Sequence, residues 1–376
     1  MNTLDSFDFK GKRVLVRIDI NSEVRKGKPI GGMRIEKSSK TIKELIDKKA
    51  KVVVLAHQGR PGKEDFISLK EHAKLLNKYV KIKFVDDIIG AKAIDSIMNL
   101  KEGESVLLEN TRFLNEELSP AKNIRDNTFV NTLAPLFDYY VNDAFSVSHR
   151  IQSSITEFPK KLKSCMGRLM EYELSKAGEI KLKDCLFILG GAKPDDAILL
   201  LKNKNVITTG VLANLALIAR GFSLGKEDEL KEKYEEALKE IKKNINNIMT
   251  PFDFAIEENK KRKEITLASL PVDSKILDIG SGTAAKYISK ILTAKTIFMK
   301  GTAGMCEKEG FGKGTKELMK AVEMASAFKI VSGGNTATAM DSFKINKGRI
   351  DYLSLSGGAL VYYLAGKKLP GLEALK

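Results

Sequence analysis

The sequence predicts an α/β fold made of two doubly wound, parallel-sheet (Rossmann-like) domains joined by a hinge helix. Short β-branched runs alternate with helical patterns from one end of the chain to the other. Parallel strands need crossover helices between them, so this alternation favours parallel sheets. A chain of 376 residues is also too long for one hydrophobic core, which favours two domains.

Five strands are predicted in the first half, each a short run typical of a buried parallel strand. They are Val14–Ile18, Val52–Leu55, Lys81–Val85, Val106–Leu108 and Tyr139–Val141. One of the intervening helices is predicted to open at a capping box formed by Ser68 and Glu71.

Six strands are predicted in the second half, again with helices between them. They are Leu186–Leu189, Val206–Thr208, Ile276–Asp278, Thr296–Met299, Lys329–Val331 and Tyr352–Leu355. A long amphipathic helix is predicted over Glu227–Asn244. The helix-like stretch Met166–Lys176, which follows a basic loop, is the predicted joint between the domains.

The formal net charge of +16 is compatible with two kinds of partner. A basic surface can bind a nucleic-acid backbone, or it can focus positive potential on a small anionic substrate. Lysine and glutamate are interspersed and RNA-binding signatures are missing, which favours the small anion. No apolar stretch is long enough to cross a bilayer. The three scattered cysteines form neither a zinc spacing nor a disulfide framework. We therefore expect a cytoplasmic protein without a membrane or nucleic-acid partner.

Polar residues follow the strands of the first half, at the positions where open α/β sheets bind ligands. Four arginines and two histidines lie there, namely Arg34, Arg60, Arg112, Arg150, His57 and His149. A guanidinium offers paired donors that match phosphate and carboxylate oxygens. A single arginine would be explained as a surface residue or as a partner for Glu109 or Asp143. Four at equivalent strand ends indicate a small ligand with two or three anionic groups.

Glycine-rich segments follow strands of the second half, and each is predicted to lead into a helix. They are Gly190–Lys193, Gly301–Gly304, Ser332–Thr336 and Ser356–Gly358. Glycine lets backbone N–H groups at a helix N-terminus approach a phosphate closely. One such loop is weak evidence, because glycine also makes tight turns, but several together suggest a nucleotide. None of them is a P-loop.

The segment Ile276–Thr283 is similar to the glycine-rich first motif of S-adenosylmethionine-dependent methyltransferases. That motif opens its fold and is followed by an acidic residue at the end of the next strand. Here the next strand is followed by Lys300, and the first half of the chain would stay unexplained. A methyltransferase is therefore the weaker alternative.

Taken in order, the motifs resemble those of phosphoglycerate kinase across essentially the whole chain. They are Asp19–Asn21, His57–Pro61, Glu109–Phe113, Asn142–Arg150, Gly190–Lys193 and Gly366–Gly371. The segment Thr208–Asn214 is similar to the archaeal branch of that family.

The resemblance implies that residues 1–165, with the C-terminal tail 364–376, bind 3-phosphoglycerate. The implied substrate-binding residues are Asp19, Ile20, Asn21, Arg34, His57, Gln58, Gly59, Arg60, Arg112 and Arg150. Residues 166–363 would bind the co-substrate, ATP or ADP. The implied nucleotide-binding residues are Lys193, Lys300, Glu307, Gly333, Gly334, Asn335 and Thr336.

The reaction that the resemblance implies is reversible phosphoryl transfer between 1,3-bisphosphoglycerate and ADP, giving 3-phosphoglycerate and ATP, in glycolysis and gluconeogenesis. Such a transfer depends on positioning and on neutralising the moving phosphoryl group, not on a protein nucleophile. The implied catalytic residues are Arg34, Lys193 and Gly334. Arg34 and Lys193 belong to opposite domains, so we expect them to act together only when the domains close and exclude water.

The nucleotide side departs from the family pattern more than the glycerate side. Asn335 stands where the family has an aspartate that meets the metal, so Mg²⁺ is expected to be held weakly, mostly through the nucleotide phosphates. Ala197 stands where many members have a lysine. Two hypotheses for Lys300 follow: it replaces the charge missing at Ala197, or it is a surface lysine without a role.

These departures leave one alternative to an active kinase. It is a catalytically weakened relative that binds phosphoglycerate as a sensor or scaffold. Arg34 and Lys193 are both retained, which favours activity. The resemblance is compatible with either a monomer or a homodimer.

Overall fold

The structure is a computed structural model that describes residues 1–376. The chain forms two compact units, of which the first contains Met1–Lys176 and Lys368–Lys376, and the second contains Ala177–Lys367. The predicted divisions, after residues 165 and 363, fall earlier than these. The start of the joint helix belongs to the first unit because the Arg168 guanidinium donates to Asp5 and Glu44 at 2.6 and 2.7 Å.

The first unit is built on a parallel sheet. Its strands are β1 (Arg13–Arg17), β2 (Val24–Arg25), β3 (Lys28–Pro29), β4 (Lys51–Leu55), β5 (Lys83–Phe84), β6 (Ser105–Leu107), β7 (Tyr139–Asn142) and β8 (Lys163–Met166). Six of them pair in parallel in the order β5-β6-β4-β1-β7-β8, and β2 pairs with β3 as a short hairpin. The carboxyl ends of β6, β4, β1 and β7 therefore lie side by side, and the residues that follow them share one edge.

The helices of the first unit satisfy the crossover requirement of this sheet. They are α1 (Met33–Asp47), α2 (Lys70–Leu76), α3 (Ala91–Met98), α4 (Asn115–Leu118), α5 (Thr128–Leu133), α6 (Ser153–Thr156) and α7 (Arg168–Gly178), which crosses the division between the units. Apolar side chains of β1, β4, α1 and α2 fill one buried core cluster.

The predicted capping box at α2 is only partly formed, because the Ser68 hydroxyl accepts from the N–H of Lys70 at 3.2 Å but Glu71 does not bond back to Ser68. Ser68 donates its hydroxyl to Glu109 Oε2 at 2.6 Å, and Glu109 Oε1 accepts from the N–H of Leu69 at 2.9 Å. Glu71 pairs with Lys74 instead. Glu109, which follows β6, thus accepts a backbone hydrogen bond at the start of α2. The local sequence around α2 could not show this contact.

The second unit contains one parallel sheet and one small antiparallel sheet. Its strands are β9 (Cys185–Leu189), β10 (Val206–Thr208), β11 (Ile248–Met249), β12 (Asp253–Glu258), β13 (Lys261–Thr266), β14 (Ile276–Ile279), β15 (Thr296–Lys300), β16 (Phe328–Ser332) and β17 (Tyr352–Ser354). The parallel sheet has the order β11-β10-β9-β15-β16-β17, and the antiparallel sheet has the order β13-β12-β14. Two doubly wound units are confirmed, with the antiparallel sheet as an unpredicted addition.

The helices of the second unit and of the tail complete the chain. They are α8 (Gly210–Ala219), α9 (Leu230–Lys233), α10 (Glu235–Lys243), α11 (Ser281–Thr293), α12 (Lys313–Met324), α13 (Gly334–Ser342), α14 (Gly357–Leu364) and α15 (Pro370–Glu373). The last of these belongs to the first unit, where the N–H of Gly371 donates to the carbonyl of Ser148 at 2.8 Å. None of the helices combines the length and the apolar character that crossing a membrane would need.

Two sequence expectations in the second unit are corrected. The predicted strand Ile276–Asp278 exists as β14, but it pairs antiparallel with β12 instead of joining the parallel sheet. The single helix predicted over Glu227–Asn244 is divided into a 3-10 turn, α9 and α10. The division occurs because Tyr234 leaves the helical conformation, at φ −128° and ψ 36°.

Candidate active site

The carboxylate of Asp19, just beyond β1, is the centre of a hydrogen-bond network at the sheet edge of the first unit. Arg34 at the start of α1 and Ser146 after β7 both donate to its Oδ2. The N–H of Asn21 donates to Oδ1 at 3.0 Å. Burial alone would raise the pKa of Asp19, but Arg34 and these hydrogen bonds outweigh it and lower the pKa below its usual value. Asp19 is therefore ionised and holds the guanidinium of Arg34 at the edge.

The loop after β4 depends on Gly59. Its N–H donates to Asn21 Oδ1 at 2.8 Å, which joins this loop to the end of β1. Gly59 has φ +67°, and a Cβ there would lie 2.2 Å from the carbonyl oxygen of Asp65. Only glycine fits at this point, so the backbone of the loop is closely specified.

Three other predicted substrate residues occupy different surroundings. The carboxamide of Gln58 accepts from the N–H of Ser22 at 2.8 Å and donates to its carbonyl at 3.0 Å, so this side chain shapes the loop. Ile20 is fully buried in the apolar core. Arg60 is exposed on the same loop.

Arg112, after β6, presents donors that the protein itself does not satisfy. It is only 5% exposed, and its Nη1 donates to the carbonyl of Gly59. Its Nε and Nη2 are buried without a hydrogen-bond partner. Burial, with the charges of Arg150 and Arg17, lowers the pKa of Arg112 to about 10. A buried guanidinium with two open donors among like charges is suited to an anion with paired oxygens.

The sequence analysis missed Arg17, the last residue of β1. It is fully buried, and its Nε donates to Ser154 Oγ at 2.7 Å. Its Nη2 lies 2.8 Å from His57 Nδ1 and 3.8 Å from Glu117 Oε1. The available signal was an arginine inside the predicted run Val14–Ile18, because a fully buried charge is rare unless it is paired.

In the second unit, the first two glycine-rich loops bind each other. The N–H of Gly190 donates to the carbonyl of Lys300, and the N–H of Gly191 to that of Thr302, both at 2.8 Å. A Cβ on Gly301 would lie 2.1 Å from the carbonyl oxygen of Gly190. These glycines are therefore needed where the ends of β9 and β15 meet.

The expectation that all four glycine-rich loops lead into a helix is only partly right. The loop at 190–193 precedes a 3-10 turn at Ala197–Leu200, and the loop at 301–304 reaches α12 only at Lys313. The other two loops lead directly into α13 and α14, and neither helix has a side-chain cap at its N-terminus. A Cβ on Gly334 would meet open space. Uncapped N–H groups beside open space can bind an anion.

The segment that resembled a methyltransferase motif is occupied by the protein's own carboxylate. Asp253 accepts from the N–H of Gly282 at 2.8 Å and from that of Thr283 at 2.7 Å, which caps α11. The preceding strand, β14, lies in the antiparallel sheet. Neither feature suits a cofactor site of that kind.

The predicted nucleotide residues that follow β16 divide into two groups. Gly334 and Asn335, in the first turn of α13, are exposed. Thr336 is buried, and its Oγ1 accepts from the N–H of Gly301 at 2.9 Å, so it joins two loops. Gly333 precedes the helix with its N–H bonded to the carbonyl of Ser354 at 3.0 Å.

Lys300, at the end of β15, is mostly buried. Its side chain is 12% exposed, and its ammonium lies 3.8 Å from Asp196 Oδ2. Burial lowers the pKa of Lys300, against the opposing effect of Asp196 and Asp195. A Cβ added to Gly357, at the start of α14, would lie 3.7 Å from the Cε of Lys300, so the lysine side chain extends to the start of that helix. Lys300 is therefore not a surface lysine, and its charge lies beside the residue that precedes Ala197.

The remaining predicted nucleotide residues lie in exposed positions. Lys193 follows β9 and its ammonium makes no ion pair, while Glu307 lies on the connection between β15 and α12. No three acidic, histidine or cysteine side chains are grouped so that they could hold a metal ion. The exposed amide of Asn335 offers one oxygen ligand. These residues fit a metal that the nucleotide phosphates carry, rather than one held by the protein alone.

Comparison with known proteins finds relatives that match essentially the whole chain. The phosphoglycerate kinase family model matches residues 4–367. The phosphoglycerate kinase of Methanothermus fervidus is 40% identical over 100% of this chain and 96% of its own, and that of Sulfurisphaera tokodaii is 39% identical over 99% and 95%. The crystal structure of the enzyme from Pyrococcus horikoshii superposes with a TM-score of 0.89 at 35% identity, covering 100% of this chain and 98% of that one. The chain therefore belongs to the phosphoglycerate kinase family, and both of these sequence relatives are archaeal.

Proposed function

We propose that this chain is an active phosphoglycerate kinase that transfers a phosphoryl group reversibly between 1,3-bisphosphoglycerate and ADP. The observation that carries the proposal is the buried Arg112, whose Nε and Nη2 lack partners at an edge that also holds Arg34 and Arg150. Unpaired buried donors are costly, so a ligand with carboxylate and phosphate oxygens would stabilise this edge. The glycerate has both groups.

In the proposed mechanism, the first unit binds 3-phosphoglycerate and fixes the oxygen that reacts. Arg112, Arg60 and Arg150 would hold its anionic groups. Arg34, fixed by Asp19, would neutralise charge on the phosphoryl group in transfer. No protein nucleophile is required, because correct placement of the two reacting oxygens supplies most of the acceleration.

In the second unit, the proposed nucleotide site uses backbone N–H groups and two lysines. The uncapped N-termini of α13 and α14 would bind phosphate oxygens, with Gly334 at the closest approach. Lys193 would neutralise the transferring phosphoryl group, and Lys300 would add a fixed charge. Glu307 would contact the ribose. Mg²⁺, when bound, would offset phosphate charge, and Asn335 would supply one oxygen ligand to it.

The proposal extends to cellular context. A role in glycolysis and gluconeogenesis, a cytoplasmic location, and a monomeric or homodimeric state with small-molecule substrates only are what the family membership and the resemblance support. Nothing among the known relatives favours the weakened sensor or scaffold.

A coupled assay with 3-phosphoglycerate, Mg²⁺ and either ATP or GTP tests the activity. We expect turnover in the range of 1–100 per second, as for kinases in general. Calorimetric titration with 3-phosphoglycerate should be run beside it. Binding without turnover by either nucleotide would contradict the kinase assignment, and turnover without dependence on Arg112 would contradict the proposed site.

A further inference from the structure

A buried contact between Arg17 and His57 lies directly behind the edge of the first unit. Arg17 Nη2 is 2.8 Å from His57 Nδ1, and both side chains are almost completely buried. The other ring nitrogen, Nε2, points toward Asp19, with 3.9 Å between Nε2 and Oδ1. The two nitrogens of His57 therefore face a cation on one side and the proposed substrate edge on the other.

The chemistry of arginine decides the direction of this hydrogen bond. A guanidinium carries donors only and stays protonated in proteins, so Arg17 can only donate. His57 Nδ1 must then accept with its lone pair, and in a neutral imidazole the proton resides on Nε2. The Nε2–Asp19 distance is too long for a hydrogen bond, which leaves the Nε2–H donor open to a ligand oxygen.

Arg17 is itself held in place on three sides. Its Nε donates to Ser154 Oγ at 2.7 Å, and Ser154 Oγ donates to Glu117 Oε1 at 2.7 Å. Its Nη1 donates to the carbonyl of Ile18. Glu117 also accepts from the N–H of Ser154 at 2.8 Å, so the carboxylate that balances Arg17 is fixed as well.

The charges around His57 all act on its protonation. They are Asp19, Arg17, Arg112 and Arg150. Burial is the main reason that the pKa of His57 lies well below its usual value, and the three arginines act in the same direction against Asp19. A protonated His57 would also lose the bond from Arg17, because both ring nitrogens would then be donors.

We propose that Arg17 is a positioning residue that fixes His57 as the neutral Nε2–H tautomer, so that His57 donates one hydrogen bond to an oxygen of the bound glycerate. The kinetic part of this inference rests on the proposed function; the tautomer itself does not. The hydrogen bond from His57 then orients the bound glycerate, and neutral His57 adds no charge to an edge that already holds several arginines.

The tautomer can be measured directly in the full chain with ¹⁵N-labelled histidine and long-range ¹H–¹⁵N correlation spectra. The chain has only three histidines, and the buried His72 serves as an internal reference. We expect His57 to show a protonated Nε2 and an unprotonated Nδ1, with no titration between pH 6 and 8. A proton on Nδ1, or a cationic ring at pH 7, would overturn the proposal whatever the activity of the enzyme.

Variants separate positioning from simple structural support. Arg17→Met leaves Glu117 buried without a cation, so the double variant R17M/E117Q is used. We expect it to give a mixture of tautomers and a Michaelis constant for 3-phosphoglycerate raised about 10-fold, with the constant for nucleotide unchanged. R17K should restore the Nε2–H tautomer, because an ammonium also only donates.

The matched control is R13M, which makes the same substitution at the opposite end of β1. It should leave the His57 spectrum and the Michaelis constants unchanged. If R17M/E117Q folds and keeps the wild-type tautomer, Arg17 does not fix it. If the wild-type chain shows the tautomer but no kinase activity, the proposed function fails and the positioning of His57 stands.

Discussion

The two proposed ligand regions of this molecule are built on different principles. At the edge of the first unit, charged side chains bind each other before any ligand arrives, as in the contacts of Asp19 with Arg34 and of Arg17 with His57. In the second unit, backbone N–H groups at α13 and α14 are left without side-chain caps, and Lys193 is exposed. The first region is organised by buried charge, and the second by the main chain.

This difference indicates where each region tolerates change. Buried, mutually bonded charges are sensitive to a single substitution, because each removal leaves a partner unsatisfied. Backbone donors survive most side-chain substitutions and are lost only when the main chain moves. This difference accounts for the sequence pattern, in which the proposed glycerate-binding residues match the family closely, whereas Asn335 and Lys300 differ from it.

The largest expected effect is that of Arg112→Met. Losing two charge-assisted hydrogen bonds should lower kcat/KM for 3-phosphoglycerate by about 100- to 1,000-fold. The Michaelis constant for nucleotide should not change. R112K should also be impaired, because an ammonium does not replace a planar fork. Steady-state kinetics with both substrates check this, with the exposed Arg125→Met as the control; equal loss for both substrates would contradict a division of roles between the units.

A pair of glycine substitutions compares the two regions directly. Gly59→Ala and Gly301→Ala each force a Cβ against a backbone oxygen, at 2.2 and 2.1 Å. Each should cost about 3 kcal/mol in unfolding free energy, measured by urea unfolding. Gly59→Ala should weaken only glycerate binding, and Gly301→Ala only nucleotide binding. Gly27→Ala, with a similar φ but open space, is the control for backbone strain alone. Loss of both ligands in either variant would contradict the comparison.

The free energy of unfolding of the first unit should also depend on pH, because of Asp143. This buried carboxylate accepts from the N–H groups of Leu169 and Met170, at 2.8 and 3.0 Å, and burial raises its pKa to about 7. The folded state then binds the proton more tightly than the unfolded state. Protonated Asp143 therefore stabilises the folded state at low pH, and this stabilisation is lost as pH rises from about 4 to 7. Relative to Asp143→Asn, wild type should lose about 2 kcal/mol of unfolding free energy between pH 5 and 7.5.

Hydrogen exchange at the first turn of α7 reports this effect locally. Protection there should fall with rising pH in wild type and stay constant in Asp143→Asn, after correction for the intrinsic exchange rate. Parallel profiles for the two proteins would show that Asp143 does not titrate in this range.

The smallest expected effect is at Lys300. Replacing it by methionine should raise the Michaelis constant for nucleotide about 10-fold, or about 1.4 kcal/mol, and leave that for 3-phosphoglycerate unchanged. Asp196→Asn, which releases the ammonium, should act in the opposite direction. Lys308→Met, on the connection that follows β15, is the control. An unchanged constant for nucleotide would refute the hypothesis that Lys300 compensates for Ala197.

Most of the fold could be predicted, because buried parallel strands are apolar on both faces. Runs such as Val52–Leu55 therefore stand out against their surroundings. The antiparallel sheet was not predicted because β13, Lys261–Thr266, is mostly exposed and charged and lacks the apolar run typical of a buried strand. The part of Glu109 in the cap of α2 could not be predicted either, since Glu109 lies 40 residues from Leu69 in the sequence.

The residues at the edge of the proposed site could be predicted from the sequence, but the buried residues that support them could not. Arginines that follow the predicted strands are visible in a sequence, whereas Arg17 lies inside the predicted run Val14–Ile18, and its contact with His57 spans 40 residues. Glycines are ambiguous in a different way. Gly301 is required because two strand ends approach closely there. Its local sequence does not show whether the glycine is needed for this packing or for close approach of a ligand.

The tail has a consequence for the order in which the protein takes shape during translation. The N–H of Gly371 donates to the carbonyl of Ser148, and a Cβ on Gly371 would lie 2.8 Å from Ile155, so residues 368–376 pack against the segment after β7 that contains Arg150. The whole second unit, Ala177–Lys367, leaves the ribosome before them. The unit whose synthesis starts first is thus finished last. A nascent chain can therefore hold a folded second unit, the proposed nucleotide-binding unit, before residues 368–376 complete the proposed glycerate edge.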